Sequence, residues 1–166
     1  MPDPALRIAF VAPAYWPAEA FGGPISVLRS LAQELARRGH SVDVWTTSLE
    51  RIDGGRTFVT RTATVDGVNV RYLATPLRYR WMGLTPTLGR HLARSPKPDV
   101  AHIFGFRDPI GFAAARWFRR HRVPYVFEAL GMFKPKLRKR ALKPGSYRAS
   151  LTAKLELGTL ARCPQR

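Results

Sequence analysis

RIAFVAPAYWPAEAFGGPISVLRSLAQELARRGHSVDVWTT, residues 7–47, is the stretch whose reading decides the fold. After Arg7 it opens on an apolar run without polar alternation, closed by Pro13. That is the pattern of a strand buried on both faces, as in a parallel sheet. Beyond the loop 13–23, Ile25, Leu28, Leu31, Ala32 and Leu35 recur at helical spacing. Pro24 suits the first turn of a helix, where its missing N–H costs nothing. Arg37 and Arg38 complement the dipole at the other end, and Gly39 suits a left-handed C-terminal cap. HSVDVWTT (40–47) alternates as a second strand does. Strand, helix and strand together make a right-handed βαβ unit.

The remainder repeats this rhythm. TFVTRTATVDGVNVRYLAT (57–75) is expected to form a hairpin turning at Asp66-Gly67. Residues 77–95 are expected to be helical in part, interrupted by Pro86 and Gly89. VAHIF (100–104) is a strand ending at Gly105, and 108–122 is a helix capped by Asp108 with Pro109 in its first turn. VPYVFEALGMF (123–133) is a further strand, ending at Gly131. The expected fold is therefore α/β: a doubly wound, Rossmann-like parallel sheet with helices on both faces and an inserted β-hairpin.

The 166 residues suffice for one domain with a sizeable core, 45% of them being hydrophobic. The single cysteine, Cys163, excludes an intramolecular disulfide and fits a reducing compartment. The N-terminus lacks the pattern of a signal peptide, and no apolar run is long enough to span a membrane. The expected location is cytoplasmic, with peripheral contact at the inner face of the membrane. The net charge of +17 is uneven, +5 over residues 1–106 and +12 over 107–166. KPKLRKRALK (134–143) alone holds six basic residues. Such a run is either a solvated face or a patch for anionic headgroups or phosphates. No nucleic-acid reader motif accompanies it, so nucleic acid is not an expected partner.

In a doubly wound sheet, ligands bind beyond the carboxyl ends of the strands. Three segments fall there: Gly22-Gly23, residues 102–107 and residues 128–133. The glycine pair is either a plain turn or a loop that lets a phosphate or a sugar hydroxyl reach the backbone. His102, inside VAHIF, is either a satisfied core histidine or a cleft residue. Glu128 interrupts an apolar run, so it must be paired, hydrogen-bonded or at the rim. Neither the dinucleotide fingerprint nor the P-loop is present. The four histidines are dispersed, which offers no metal set, and no Gly-x-Ser-x-Gly supports a serine triad.

Taken as a set, residues 7–47, KPDVAHIFGF (97–106) and VPYVFEALGMF (123–133) strongly resemble the opening of family 4 glycosyltransferases, which have the two-domain GT-B fold. The resemblance covers roughly residues 7–140. It implies retaining transfer of a sugar from a nucleotide-activated donor to a sugar or lipid-linked acceptor, with no cofactor or metal. Residues 1–142 would be the N-terminal, acceptor-side domain, and 143–166 a divergent or truncated basic tail. The nucleotide-sugar domain would be absent or separately encoded, and the chain alone is not expected to catalyse transfer. The resemblance carries Gly22 and Gly23 as substrate-binding residues, facing the donor's diphosphate. By position it also carries His102 and Gly131, with Glu128 beside them. Many family members have a histidine just before the glycine that ends the last of these strands. Here that position is Leu130, so the role passes to no residue by motif. The competing expectation is a non-catalytic module binding an anionic, lipid-linked or membrane acceptor through the basic face.

Overall fold

Why the first strand lies at the centre is visible in its side chains. In a computed structural model describing residues 4–50, 59–80, 82–105 and 107–129, β1 (Arg7–Ala12) buries every residue after Arg7. Ile8, Phe10 and Ala12 enter one apolar cluster, and Ala9 and Val11 enter another on the opposite face. A strand apolar on both sides is stable only between two layers, and here both layers are helical. α1 (Gly23–Arg37) covers the first face through Leu28 and Ala32. α2 (Leu88–Arg94) and α3 (Pro109–Arg120) cover the second through Leu88, Leu92, Ile110, Ala114 and Phe118.

The strands are β2 (Ser41–Thr47), β3 (Arg61–Val65), β4 (Val68–Leu73), β5 (Leu77–Tyr79), β6 (Met82–Leu84), β7 (Val100–Phe104) and β8 (Tyr125–Glu128). Six of them form one sheet in the order β3-β4-β2-β1-β7-β8. All its pairings are parallel except β3 with β4. The chain builds outward from β1 to β2 and β4, then returns to lay β7 and β8 on the other side of β1. The winding thus reverses between β1 and β7, and the loops leaving these two strands diverge at that point.

Local chemistry agrees with these elements. At the end of α1, the His40 N–H donates to the Leu35 carbonyl at 3.1 Å and Gly39 N–H to Ala36 at 3.0 Å, with Gly39 at φ +90°. This is the pair of bonds by which a left-handed glycine closes a helix. The stripe is narrower than the spacing implies: Ile25, Leu28 and Ala32 are buried, whereas Leu31 is exposed. The turn at Asp66-Gly67 has positive φ at both residues, as a tight hairpin requires. That hairpin enters the main sheet, since β4 pairs with β2 while β3 forms an edge. Asp108 caps α3, its Oδ1 accepting from the Gly111 N–H at 2.7 Å.

Residues 77–95 are helical only from Leu88. Their first part is a second, two-stranded hairpin, β5–β6, in which Leu77 faces Leu84 and Tyr79 faces Met82. Alternating Leu77, Arg78 and Tyr79 favour an extended chain, and this local preference displaces the helix. Gly83 presses the hairpin onto the ends of β2 and β4. A Cβ there would lie 2.6 Å from Thr75 Cγ2 and 3.0 Å from Leu49 Cδ1. Thr75 has little room to give, because its Oγ1 donates to the Leu73 carbonyl and accepts from the Ser48 N–H. Gly83→Ala should therefore destabilise the protein by about 1–3 kcal/mol, the usual cost of overpacking a filled site. Urea unfolding checks this, and an unchanged midpoint would contradict the packing described.

Candidate functional site

The loops after β1 and β7 meet at the reversal of winding. Gly105, which follows β7, adopts φ +111°, and a Cβ there would stand 3.3 Å from Pro13 Cδ and 2.7 Å from Asp108 Oδ2. Only glycine permits both that backbone and that approach. The Pro13 carbonyl is in turn held by the Thr47 hydroxyl at 2.6 Å, tying the β1 loop to the end of β2. The Tyr72 hydroxyl donates to the Trp16 carbonyl further along the same loop. The loop from Pro13 to Gly22 is thus fixed to the sheet rim at two places before α1 begins.

Gly22 and Gly23 end this loop, and their situations differ. Gly22 is the residue preceding α1, at φ +80°, a backbone that side chains rarely adopt. Gly23 is the first helical residue and needs no special backbone. A Cβ at either position would meet nothing within 4 Å. No side chain caps α1, and its first turn holds no acidic residue. The positive end of a 15-residue helix therefore faces outward without a carboxylate of its own upon it.

Beside Gly22 runs a cleft of about 640 Å³ between the loop and α1, lined by Trp16, Glu19, Ile25, Ser26, Arg29 and Gln33 among others. The Arg29 guanidinium lies 4.1 Å from the centre of the Trp16 ring and 2.7 Å from Asp66 Oδ2. Gln33 donates to the same carboxylate oxygen. These bonds hold the Asp66 carboxyl below its usual range, Arg29 acting first and Gln33 second. Tyr15, 1% exposed, carries a hydroxyl without a partner among the described residues. Burial above all, with a smaller push from Tyr72, raises it to about 12, so it stays protonated.

The structure brings together two candidates 26 positions apart in the chain. His102 Nε2 lies 3.0 Å from Oε2 of Glu128, an ion-pair distance, although the ring N–H is not aligned on the oxygen as a hydrogen bond requires. The register explains the meeting: Phe104 is opposite Glu128 on β8, so His102 and Glu128 share the face of the sheet that α1 covers further along. Phe10 and Phe104 flank the imidazole with ring centroids at 5.6 and 4.3 Å. Burial among these rings lowers the His102 pKa and outweighs the opposing pull of Glu128, whose side chain is 40% exposed and screened by water. His102 is therefore neutral at pH 7.

Not every candidate converges. The cleft includes Gly22 but not Gly23, His102 or Glu128. Gly131 lies outside the described residues, as do Leu130 and the basic run 134–143. Asp108 is more than a cap: it is 1% exposed, and its Oδ2 has no hydrogen-bond partner among the described residues. Burial raises its pKa against the pull of the backbone N–H groups. Among the described residues, no three His, Cys, Asp or Glu side chains gather closely enough to hold a metal ion.

Residues 22–156 match the family model described as the glycosyl transferase 4-like domain. The chain belongs to this family. The match begins at Gly22 and ends at residue 156, beyond the expected domain boundary at 142. Among solved structures, the chain is similar to the catalytic domain of starch synthase IV from Arabidopsis thaliana, determined bound to ADP and acarbose. The TM-score is 0.51 at 18% identity, over 75% of this chain and 33% of that one. The likeness is one of fold, that of a Rossmann-like domain within a GT-B glycosyltransferase, and the chain spans about a third of that domain. No curated protein matches the sequence.

A depressed histidine pKa has a definite sign. The neutral form is favoured by folding, so the contribution is full above the ordinary value near 6.5 and is lost as pH falls below it. His102 should titrate below 6.5 by NMR, and lower still in Glu128→Gln, which removes the one opposing charge. A midpoint at or above 6.5 would show that burial does not dominate, and one raised by Glu128→Gln would show that the carboxylate does not pull it upward.

Proposed function

We propose that this glycosyl transferase 4-like chain is the acceptor-side half of a retaining glycosyltransferase that uses a nucleotide-sugar donor. The observation that carries the reading is Gly23. Its backbone is ordinary for a helix and nothing among the described residues crowds it, so neither conformation nor packing within the domain asks for glycine. The Gly22 N–H is held by the Glu19 carbonyl at 2.8 Å and the Ile25 N–H by the Gly22 carbonyl at 3.1 Å, and Pro24 has none, so the missing side chain leaves the Gly23 N–H and the positive end of α1 open to a ligand. Their polarity suits the oxygens of a diphosphate, whose negative charge grows as the sugar departs. The position at the reversal of winding, beyond the end of β1, is where a doubly wound sheet offers a crevice.

In this reading Gly22 sets the turn and Gly23 keeps the approach clear. His102 and Glu128 stand on the same rim as substrate-binding residues. A neutral imidazole can take either role in a hydrogen bond with an acceptor hydroxyl, and the half-exposed carboxylate accepts one. The donor's nucleotide would be held by a second domain, and residues 1–142 would form the acceptor domain. The non-catalytic alternative rests on the run 134–143, outside the described residues, so the transfer reading has the better support.

The test sets stability against binding. Gly23→Ala should fold at least as well as the parent, since alanine is favoured over glycine inside a helix by roughly 0.5–1 kcal/mol. Titration with inorganic pyrophosphate, followed by amide NMR, should shift the Gly23 amide most in the parent, and the amide at position 23 much less in Gly23→Ala. No shift in the parent, or equal shifts in both, would remove the diphosphate role. Sugar transfer from nucleotide sugars by the chain alone would overturn the assignment as one half of the enzyme.

A further inference from the structure

We propose that the outward face of the β5–β6 hairpin seats the domain on the headgroup region of an anionic lipid bilayer. Cross-strand partners share a face, so Leu77, Leu84, Tyr79 and Met82 all lie on one side of this two-stranded ribbon. The other side carries Gly83, which packs on Thr47, Leu49 and Thr75 at the ends of β2 and β4. The apolar side is thus turned away from the core. Leu77 is 57% exposed, Tyr79 66% and Leu84 41%. Scattered exposed leucines are ordinary, but a ribbon with one apolar face turned outward at the sheet rim asks for an occupant.

Charge decides which occupant. Residues 67–98, which contain the hairpin, hold six Lys or Arg and no Asp or Glu. Arg80 sits at the hairpin turn with its guanidinium 5.7 Å from the centre of the Tyr79 ring. Apolar and aromatic side chains bordered by arginine suit the boundary between acyl chains and phosphate headgroups. A second copy of this chain would set one basic surface against another, in molecules of net charge +17 each. An anionic bilayer instead offers Arg80, beside Tyr79, a phosphate partner while it takes up the apolar face. Among the described residues no helix is long and apolar enough to cross a membrane, and surface seating requires none. This contact stands independently of the transfer reading. If both hold, a lipid-linked acceptor would arrive at the rim that carries Gly23.

The full 166-residue chain is sedimented with phosphatidylcholine vesicles, with and without phosphatidylglycerol, in the absence of any sugar donor. It should pellet with the anionic vesicles only. The triple variant L77S/Y79S/L84S should bind about tenfold less, with an unchanged circular dichroism spectrum and melting temperature. As a second measurement, Tyr79→Cys in a Cys163→Ser background carries an environment-sensitive fluorophore. Its emission should shift to the blue on anionic vesicles, while the same label in place of Val126 should not. If the chain pellets but the label at 79 is unmoved, the contact lies elsewhere, such as on the run 134–143, and the proposal fails. It fails equally if the parent ignores anionic vesicles, or if the triple variant loses a dimer instead of vesicle binding. None of these outcomes bears on pyrophosphate binding at Gly23, so the two readings stand or fall separately.

Discussion

The rest of the structure depends on β1 being hydrogen-bonded along both edges and buried on both faces. Its register with β2 runs from Arg7 opposite Ser41 to Ala12 opposite Thr46, and with β7 from Ile8 opposite Val100 to Val11 opposite Ile103. A parallel neighbour on each side forces every returning connection to cross a face of the sheet, which puts α1 on one face and α3 on the other. It also gathers the carboxyl ends of β1, β2, β4, β7 and β8 on one rim. The loops leaving β1 and β7 turn toward opposite faces, so the rim opens between them. Pro13, Gly105 and Asp108 occupy this opening, and their close approach explains why a glycine of strongly positive φ ends β7.

What the sequence reveals follows from the range of each interaction. The strand, helix and strand of residues 7–47 were legible because the determinants are local: an unbroken apolar run, a 3.6-residue stripe and a glycine cap. The cap of α3 was legible for the same reason, since Asp108 and Gly111 are three residues apart. The β5–β6 hairpin was not, because three alternating residues carry too little periodicity to oppose a neighbouring helical pattern. Leu31 fits the helical spacing yet is exposed, since the stripe in contact with the sheet is narrower than the stripe of apolar residues. Tertiary packing, which no local pattern encodes, sets that width.

At the rim, residue types were legible and partnerships were not. Glu128 had to be paired or at the edge, and it is both, half-exposed and 3.0 Å from His102. That the two meet depends on the parallel register of β7 and β8, which no spacing within either strand reveals. Tyr15 gave no signal at all. Its hydroxyl is buried by a loop whose course is fixed by Thr47 and Tyr72, residues more than 30 positions away. The glycine pair read as one motif, but the structure separates its members. Gly22 answers to the backbone, while nothing in the described residues answers for Gly23.

The chain's positive field follows from how its few acids are used. Within the described residues, Asp66 is bound by Arg29 and Gln33, Glu34 by Arg37 and Arg38, and Glu50 by Arg61. Asp99 accepts from the Arg7 N–H, Asp108 from Gly111, and Asp43 is hydrogen-bonded by Asn69. Glu128 stands against His102. Glu19 has no such partner among these residues, and it lines the cleft. Acids committed to fixing loops, caps and hairpin turns stay beside their partners and do little to screen arginines elsewhere. The excess of cations is therefore unscreened wherever acids are missing from the sequence, and one such stretch, residues 67–98, includes the hairpin whose apolar side faces outward. Electrostatic attraction acts over roughly a Debye length, about 8 Å at physiological salt, and apolar burial only on contact. A surface with both can be drawn to an anionic layer by the first and held by the second.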